Sequence, residues 1–106
     1  MEKSLLIKLL GENPMFKIID FLIENKDIEL TKKDIIEGSR ISRASLFKVW
    51  AQLEANDLVI AKRKFGKTKL YVLNSKNPIV KKLLGLESAL IQKSLETHNS
   101  IEIPAQ

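Results

Sequence analysis

The stretch TKKDIIEGSRISRASLFKVWAQLEANDLV, residues Thr31–Val59, decides how the chain is read. Thr31 followed three residues later by Asp34 is a capping-box-like helix start, and Ile35 and Ile36 supply the buried side of a short helix. Gly38-Ser39-Arg40 is read as the break that ends it. Ser42 then offers a hydroxyl cap for a second helix, in which Leu46, Val49, Trp50 and Leu53 recur at helical spacing. Left facing outward near that second start are Arg43, Ala44, Ser45, Phe47 and Lys48. A short polar and basic face at the front of a helix suits the major groove of duplex DNA, where recognition helices place their N-terminal residues.

Downstream, Leu58–Arg63 and Thr68–Leu73 alternate and are rich in β-formers, with the glycine-containing connection Lys64-Phe65-Gly66-Lys67 between them, so a hairpin is predicted. Five of the eight residues from Lys62 to Lys69 are basic. Such a hairpin either protects a solvated edge or carries its tip to phosphates, and Phe65 at the tip, where burial is hard to arrange, favours contact with something. Upstream, Asn13-Pro14 is an N-cap followed by a first-turn proline, and Phe16, Ile19, Leu22 and Ile23 mark the core face of a helix to about Asn25. Ile28-Glu29-Leu30 alternates briefly, as a short strand paired with the hairpin would.

The two ends carry leucine-rich stripes. Leu5, Leu6, Leu9 and Leu10 lie on one side of a short N-terminal helix, which ten residues cannot sustain alone in water. Asn77-Pro78 repeats the cap-and-proline device and opens a helix to about His98, striped by Val80, Leu83, Leu84, Leu90, Ile91 and Leu95 with Glu87 interrupting. At about 20 residues this helix spans about 30 Å, the diameter of a domain this size. These residues are the expected surface of a two-fold homodimer. Asn99 is read as a left-handed cap and SIEIPAQ as a loose tail. The organisation expected is an accessory helix over 1–12, a DNA-binding unit over 13–76, a dimerisation helix over 77–99 and a flexible tail over 100–106.

Net charge is +5, yet Gly38–Lys82 holds eleven Lys or Arg against Glu54 and Asp57, which makes that segment +9 and the other 61 residues −4. A basic block confined to one part of a chain fits a polyanion partner. No secretory signal or long apolar span is found, so a membrane surface is the weaker partner and the cytoplasm the expected location. There is no cysteine, which removes disulfides, thiolate catalysis and Cys-ligated zinc together. His98 is the only histidine, and no phosphate-binding glycine loop, nucleophile elbow or His-Glu metal spacing occurs. No catalysis, metal or cofactor is expected.

With NPMFKIIDFLIEN (13–25), the opening stretch and AKRKFGKTKLYVLNSKNPIVKKLL (61–84) laid out, the chain resembles the prokaryotic winged helix-turn-helix transcriptional regulators, above all the small archaeal group related to the ArsR and MarR regulators. That resemblance implies a mainly α fold with a small β-hairpin (α+β), a winged helix flanked by N- and C-terminal helices. It implies that ISRASLFKVWAQLE is the recognition helix, with Arg43, Ser45, Phe47 and Lys48 facing the groove and Gln52 reaching the backbone. It makes the hairpin a wing, with Lys62, Arg63, Lys64, Phe65, Gly66, Lys67 and Lys69 at the phosphates or minor groove. Arg40 and Arg43 flank the helix start at Ser42, whose free N–H groups attract a phosphate. Two departures stand out: Asn56-Asp57 replaces the glycine many relatives carry before the strand, and Trp50 occupies a position where leucine is commoner. The expectation is a homodimeric, sequence-specific regulator binding double-stranded DNA. The alternative is a winged-helix assembly module of transcription, replication or plasmid-partition machinery, motivated by Phe47 and Phe65.

Overall fold

Every helix begins at a polar side chain that satisfies an otherwise unpaired backbone N–H. Ser4 accepts from the Ile7 amide at 3.1 Å, Asn13 from Phe16 at 2.9 Å, Ser42 from Ser45 at 3.0 Å and Asn77 from Ile79 at 2.7 Å. Thr31 and Asp34 exchange two such bonds, 3.0 and 2.9 Å, completing the capping box. The computed structural model describes residues 3–99; the tail 100–106 and the side-chain roles read for His98 and Asn99 lie outside the described residues. In order, the elements are α1 (Leu5–Leu10), α2 (Pro14–Glu24), α3 (Lys32–Ser39), α4 (Arg43–Ala55), β1 (Val59–Phe65), β2 (Thr68–Leu73) and α5 (Pro78–Asn99). This is an α+β fold of five helices and one antiparallel hairpin.

The break between α3 and α4 falls at the expected Gly38-Ser39-Arg40, but Gly38 is not its cause. Gly38 is inside α3, where a Cβ would fall 2.1 Å from the Phe21 ring, so it is needed for close approach to α2 rather than for a turn. The left-handed residue that closes α3 is Arg40, at φ 58° and ψ 48°. After α4 the left-handed residue is Asp57, φ 54°, which supplies what a glycine would otherwise give.

The hairpin is longer than read: β1 runs on to Phe65, which pairs with Thr68 across a two-residue turn, Gly66-Lys67. Gly66 has φ +59° at the first central position, which the twist of the flanking strands requires. Ala61 pairs with Tyr71 but Arg63 with Leu70, leaving Lys62 as the extra residue of a bulge. The short strand expected at 28–30 shrinks to one residue: Leu30 and Tyr71 exchange two 2.8 Å backbone bonds.

One core runs through all the elements. Ile18, Leu22, Ile35, Leu46, Leu53 and Val80 are fully buried and join Leu6, Trp50 and Tyr71 in a single cluster. It crosses both expected boundaries, at 12/13 and 76/77, and the Asn77 amide pins the start of α5 to the carbonyls of Asn56 and Asp57 at 2.7 and 2.8 Å. Several residues expected on a dimer surface are therefore engaged at home. Leu6 and Val80 belong to the core, and Leu10, Leu83, Leu84 and Leu90 pack against it, because α1 lies between α2 and α5. Leu5 is half-buried, while Leu9, Ile91 and Leu95 remain open to solvent. Among the described residues, no helix is long and apolar enough to cross a membrane.

Candidate nucleic-acid interface

The buried stripe of α4 fixes what it shows to solvent. With Leu46, Trp50 and Leu53 inward, the opposite ridge carries Ala44, Ala51 and Ala55. Arg43 and Phe47, one turn apart, stand on one flank of that ridge, and Lys48 and Gln52 on the other. Small residues along the ridge leave its surface free for close approach by another molecule. Glu54 is exposed in the last turn, so only the front of the helix suits an anion.

Two of the expected residues sit less freely. Ser45 is half-buried, and its hydroxyl accepts a 2.9 Å bond from the Ser42 hydroxyl, so it serves the helix start. Arg40 lines a different cleft, between α1, α2 and the end of α3, and its carbonyl accepts from the Lys17 ammonium at 3.5 Å.

On the Arg43–Phe47 flank, α4 forms one wall of a groove of about 650 Å³. Its other walls are Thr31, Lys32 and Lys33 from the start of α3, and Lys67, Thr68, Lys69 and Tyr71 from the hairpin. Five cations line it and no carboxylate does. Beneath them, the Lys32 ammonium lies 5.0 Å from the Trp50 ring centre, 5.3 Å from that of Phe47 and 5.9 Å from that of Tyr71. Trp50 and Tyr71 meet edge to face at 4.9 Å. These faces attract a cation electrostatically and hold Lys32 in one place. Arg43 covers Phe47 as well, with its guanidinium carbon 5.3 Å from the ring centre. Phe47, half-exposed, is thus flanked by two cations instead of standing bare. Burial, and secondarily the Glu54 carboxylate, raises the Tyr71 phenol above its usual range, so it stays protonated. The Trp50 indole N–H is buried and has no partner among the described residues, a cost that a leucine at this position would not carry.

The hairpin brings Lys62, Lys64, Lys67 and Lys69 to the surface, and among the described residues none of the four has an acidic partner within 4 Å. Lys64 and Lys69 face each other across the strands, a like-charge pairing that opposes hairpin formation. Arg63 is the exception: its Nε donates to Glu29 at 2.6 Å, and its guanidinium lies over Phe65, 5.7 Å from the ring centre. Phe65, at 68% exposure, is open at the tip.

Thr31, Lys32, Lys33, Thr68 and Tyr71 were not among the site residues read from the sequence. One signal for two of them was present. Lys32 and Lys33 follow the Thr31 cap directly, where the positive end of the helix dipole disfavours cations.

The second cleft, of about 360 Å³, is differently made. Lys3 and Glu12 form an ion pair, and that bonded ammonium holds the Glu12 carboxyl below its usual range. The Ser4 hydroxyl donates to Asp20 at 2.7 Å. Ser39, which also lines it, has a buried hydroxyl with no partner among the described residues. Among the described residues no group of three or more acidic or histidine side chains is placed to hold a metal ion. Compared with known proteins, the chain matches no family model, no curated protein and no solved structure.

Proposed function

We propose that this chain is a sequence-specific, double-stranded-DNA-binding transcriptional regulator of the winged helix-turn-helix type, working in the cytoplasm as a homodimer. In this reading α3 and α4 are the helix-turn-helix, α4 enters the major groove by its front two turns, and the β1–β2 hairpin is the wing. The observation that carries it is the convergence of Arg43 and the hairpin lysines Lys67 and Lys69 on one groove free of carboxylates. Base contact falls to Ala44, Phe47 and Lys48, with Gln52 nearer the backbone, while Lys62, Lys64, Lys67 and Lys69 supply the salt-sensitive part of the affinity. A second copy would meet the chain over Leu9, Ile91 and Leu95, the members of the leucine stripes that their own core leaves exposed. A two-fold pair then addresses half-sites about one helical turn apart.

A protein-assembly role built on Phe47 and Phe65 has less support, since cations lie over both rings. The test is selection of bound sequences from random duplexes, followed by affinities for the selected and an unrelated duplex. Lys48→Ala is expected to weaken the selected duplex by about 1–3 kcal/mol and the unrelated one by less. Equal losses on both would remove base reading from α4, and affinity indifferent to salt would remove DNA binding altogether.

A further inference from the structure

We propose that the groove between the start of α3 and the hairpin is a phosphodiester site in its own right, distinct from the base-reading ridge of α4, with Lys32 as its fixed cation. The proposal rests on the nucleic-acid reading above for its ligand class, and its location rests on charges that the protein itself leaves unanswered. Lys32 and Lys33 occupy the first two positions of α3, and Arg43 the first position of α4. The N-terminus of a helix is already positive, so all three cations stand where the backbone repels them. No acid lies in the first turn of α4 to offset this, and the one in α3, Asp34, turns its carboxylate to the Thr31 amide. Across the groove, Lys69 faces Lys64 at a directly opposed strand position. Such an arrangement is unfavourable by itself and becomes favourable when a polyanion lies along it.

The number of cations chooses between anions. A single free phosphate offers at most two negative charges, whereas a strand presents one for about every 3.4 Å of helix axis. Five cations drawn from three elements match the strand. Lys32 sets the depth of the site. Phe47, Trp50 and Tyr71 hold its ammonium where it is, so docking a phosphate costs less side-chain ordering than with a freely moving lysine. The same geometry makes Trp50, the chain's one tryptophan, a reporter of Lys32.

The experiment measures affinity for a duplex of about 20 base pairs, two helical turns, across a range of salt, with Trp50 emission followed in parallel. Lys33→Met with Lys69→Met is expected to lower the slope of log affinity against log salt by about 1.8, two phosphate contacts. Lys81→Met with Lys82→Met, on exposed positions of α5 outside the groove, leaves the slope unchanged. Duplex addition shifts Trp50 emission in the native chain, and Lys32→Met abolishes that response while circular dichroism shows the fold retained. An unaltered slope in the Lys33/Lys69 variant overturns the groove. A Trp50 response to inorganic phosphate equal to that for duplex, at matched phosphate concentration, overturns the strand assignment. Ala44→Glu on the ridge separates this proposal from the functional reading. If it leaves sequence preference intact while the groove variant still lowers the slope, the groove stands and α4 is not the reader. If it destroys preference and the groove variant changes nothing, the reverse holds. Absence of duplex binding even at low salt overturns both.

Discussion

The two ends of α3 open onto two clefts that differ in electrical balance: one sets Lys3, Lys17 and Arg40 beside Glu12, Asp20 and Glu24, the other gathers five cations and no carboxylate. At its C-terminal end charges meet polar partners: Lys3 pairs with Glu12, the Ser4 hydroxyl donates to Asp20, and the Lys17 ammonium donates to the Arg40 carbonyl. A cation there also suits the negative end of the helix dipole, so Arg40 is placed with the field. At the N-terminal end, Lys32 and Lys33 are placed against it, and nothing in the groove neutralises them, Arg43, Lys67 or Lys69. A count of cations alone would rank both clefts as basic; the carboxylates beside them separate the two. The first cleft carries cations and carboxylates in equal number, while the second carries cations alone.

Reversing charge in each cleft is the most direct way to break this contrast. Lys67→Glu with Lys69→Glu is expected to lower duplex affinity on the order of tenfold per position at 0.1 M salt. Lys17→Glu, in the compensated cleft, is expected to stay within about twofold of the native chain, because its charge is remote from the phosphates. Comparable losses from both would mean that the chain responds only to net charge, and the distinction between clefts would disappear.

Gly38 distinguishes the two clefts by packing instead of charge. It lines the compensated cleft, and a Cβ there meets the Phe21 ring at 2.1 Å. Alanine improves helix propensity by about 1 kcal/mol but forces the ring to move, at a cost of about 1–3 kcal/mol. Gly38→Ala is expected to lose up to about 2 kcal/mol in chemical denaturation, with the salt dependence of duplex binding unchanged. A stability gain would show that Phe21 yields freely and that the α2–α3 contact is loose.

How much of this was legible in the sequence follows from the range of each interaction. Helix starts were legible because caps are local: Asn13, Thr31, Ser42 and Asn77 each act within three residues of themselves. The hairpin was legible from alternation and Gly66. The role of Gly38 was misread because its cause, the Phe21 ring, sits seventeen positions earlier and only tertiary packing brings it near. The leucine stripes were overextended for the same reason. Periodicity marks a face as apolar without saying what covers it, and α1 and the body of the fold cover Val80 through Leu90 before any second copy could. The groove needed three elements to meet, so Arg43, Lys67 and Lys69 were found as single residues but not as a site with Lys32 and Lys33. The dipole argument could have found those two lysines, since it needs only the position of the cap.

The smallest expected effect tests whether the compensated side is fully compensated. Glu24 borders that cleft, and its pKa is raised from the usual 4.5 by burial first and then by the Asp20 and Glu87 carboxylates. A carboxyl whose folded pKa exceeds its unfolded value binds its proton more tightly when folded, so its ionised form opposes folding. The penalty is present above the folded pKa and fades as pH falls through that value towards 4.5, the ordinary unfolded one. Glu24→Gln removes the charge at every pH. The variant is expected to melt higher than the native chain at pH 7, by about 2 °C or less because the side chain is largely solvated. At about pH 4, where the native carboxyl is itself becoming protonated, the advantage should vanish. Thermal melts of both proteins at the two pH values decide the matter. An advantage that persists unchanged in acid would assign it to helix propensity or packing, leaving Asp20, Glu24 and Glu87 without measurable repulsion. A lower melting temperature at pH 7 would mean that the Glu24 charge is answered by a cation, and the compensated cleft would then be balanced to its last carboxylate.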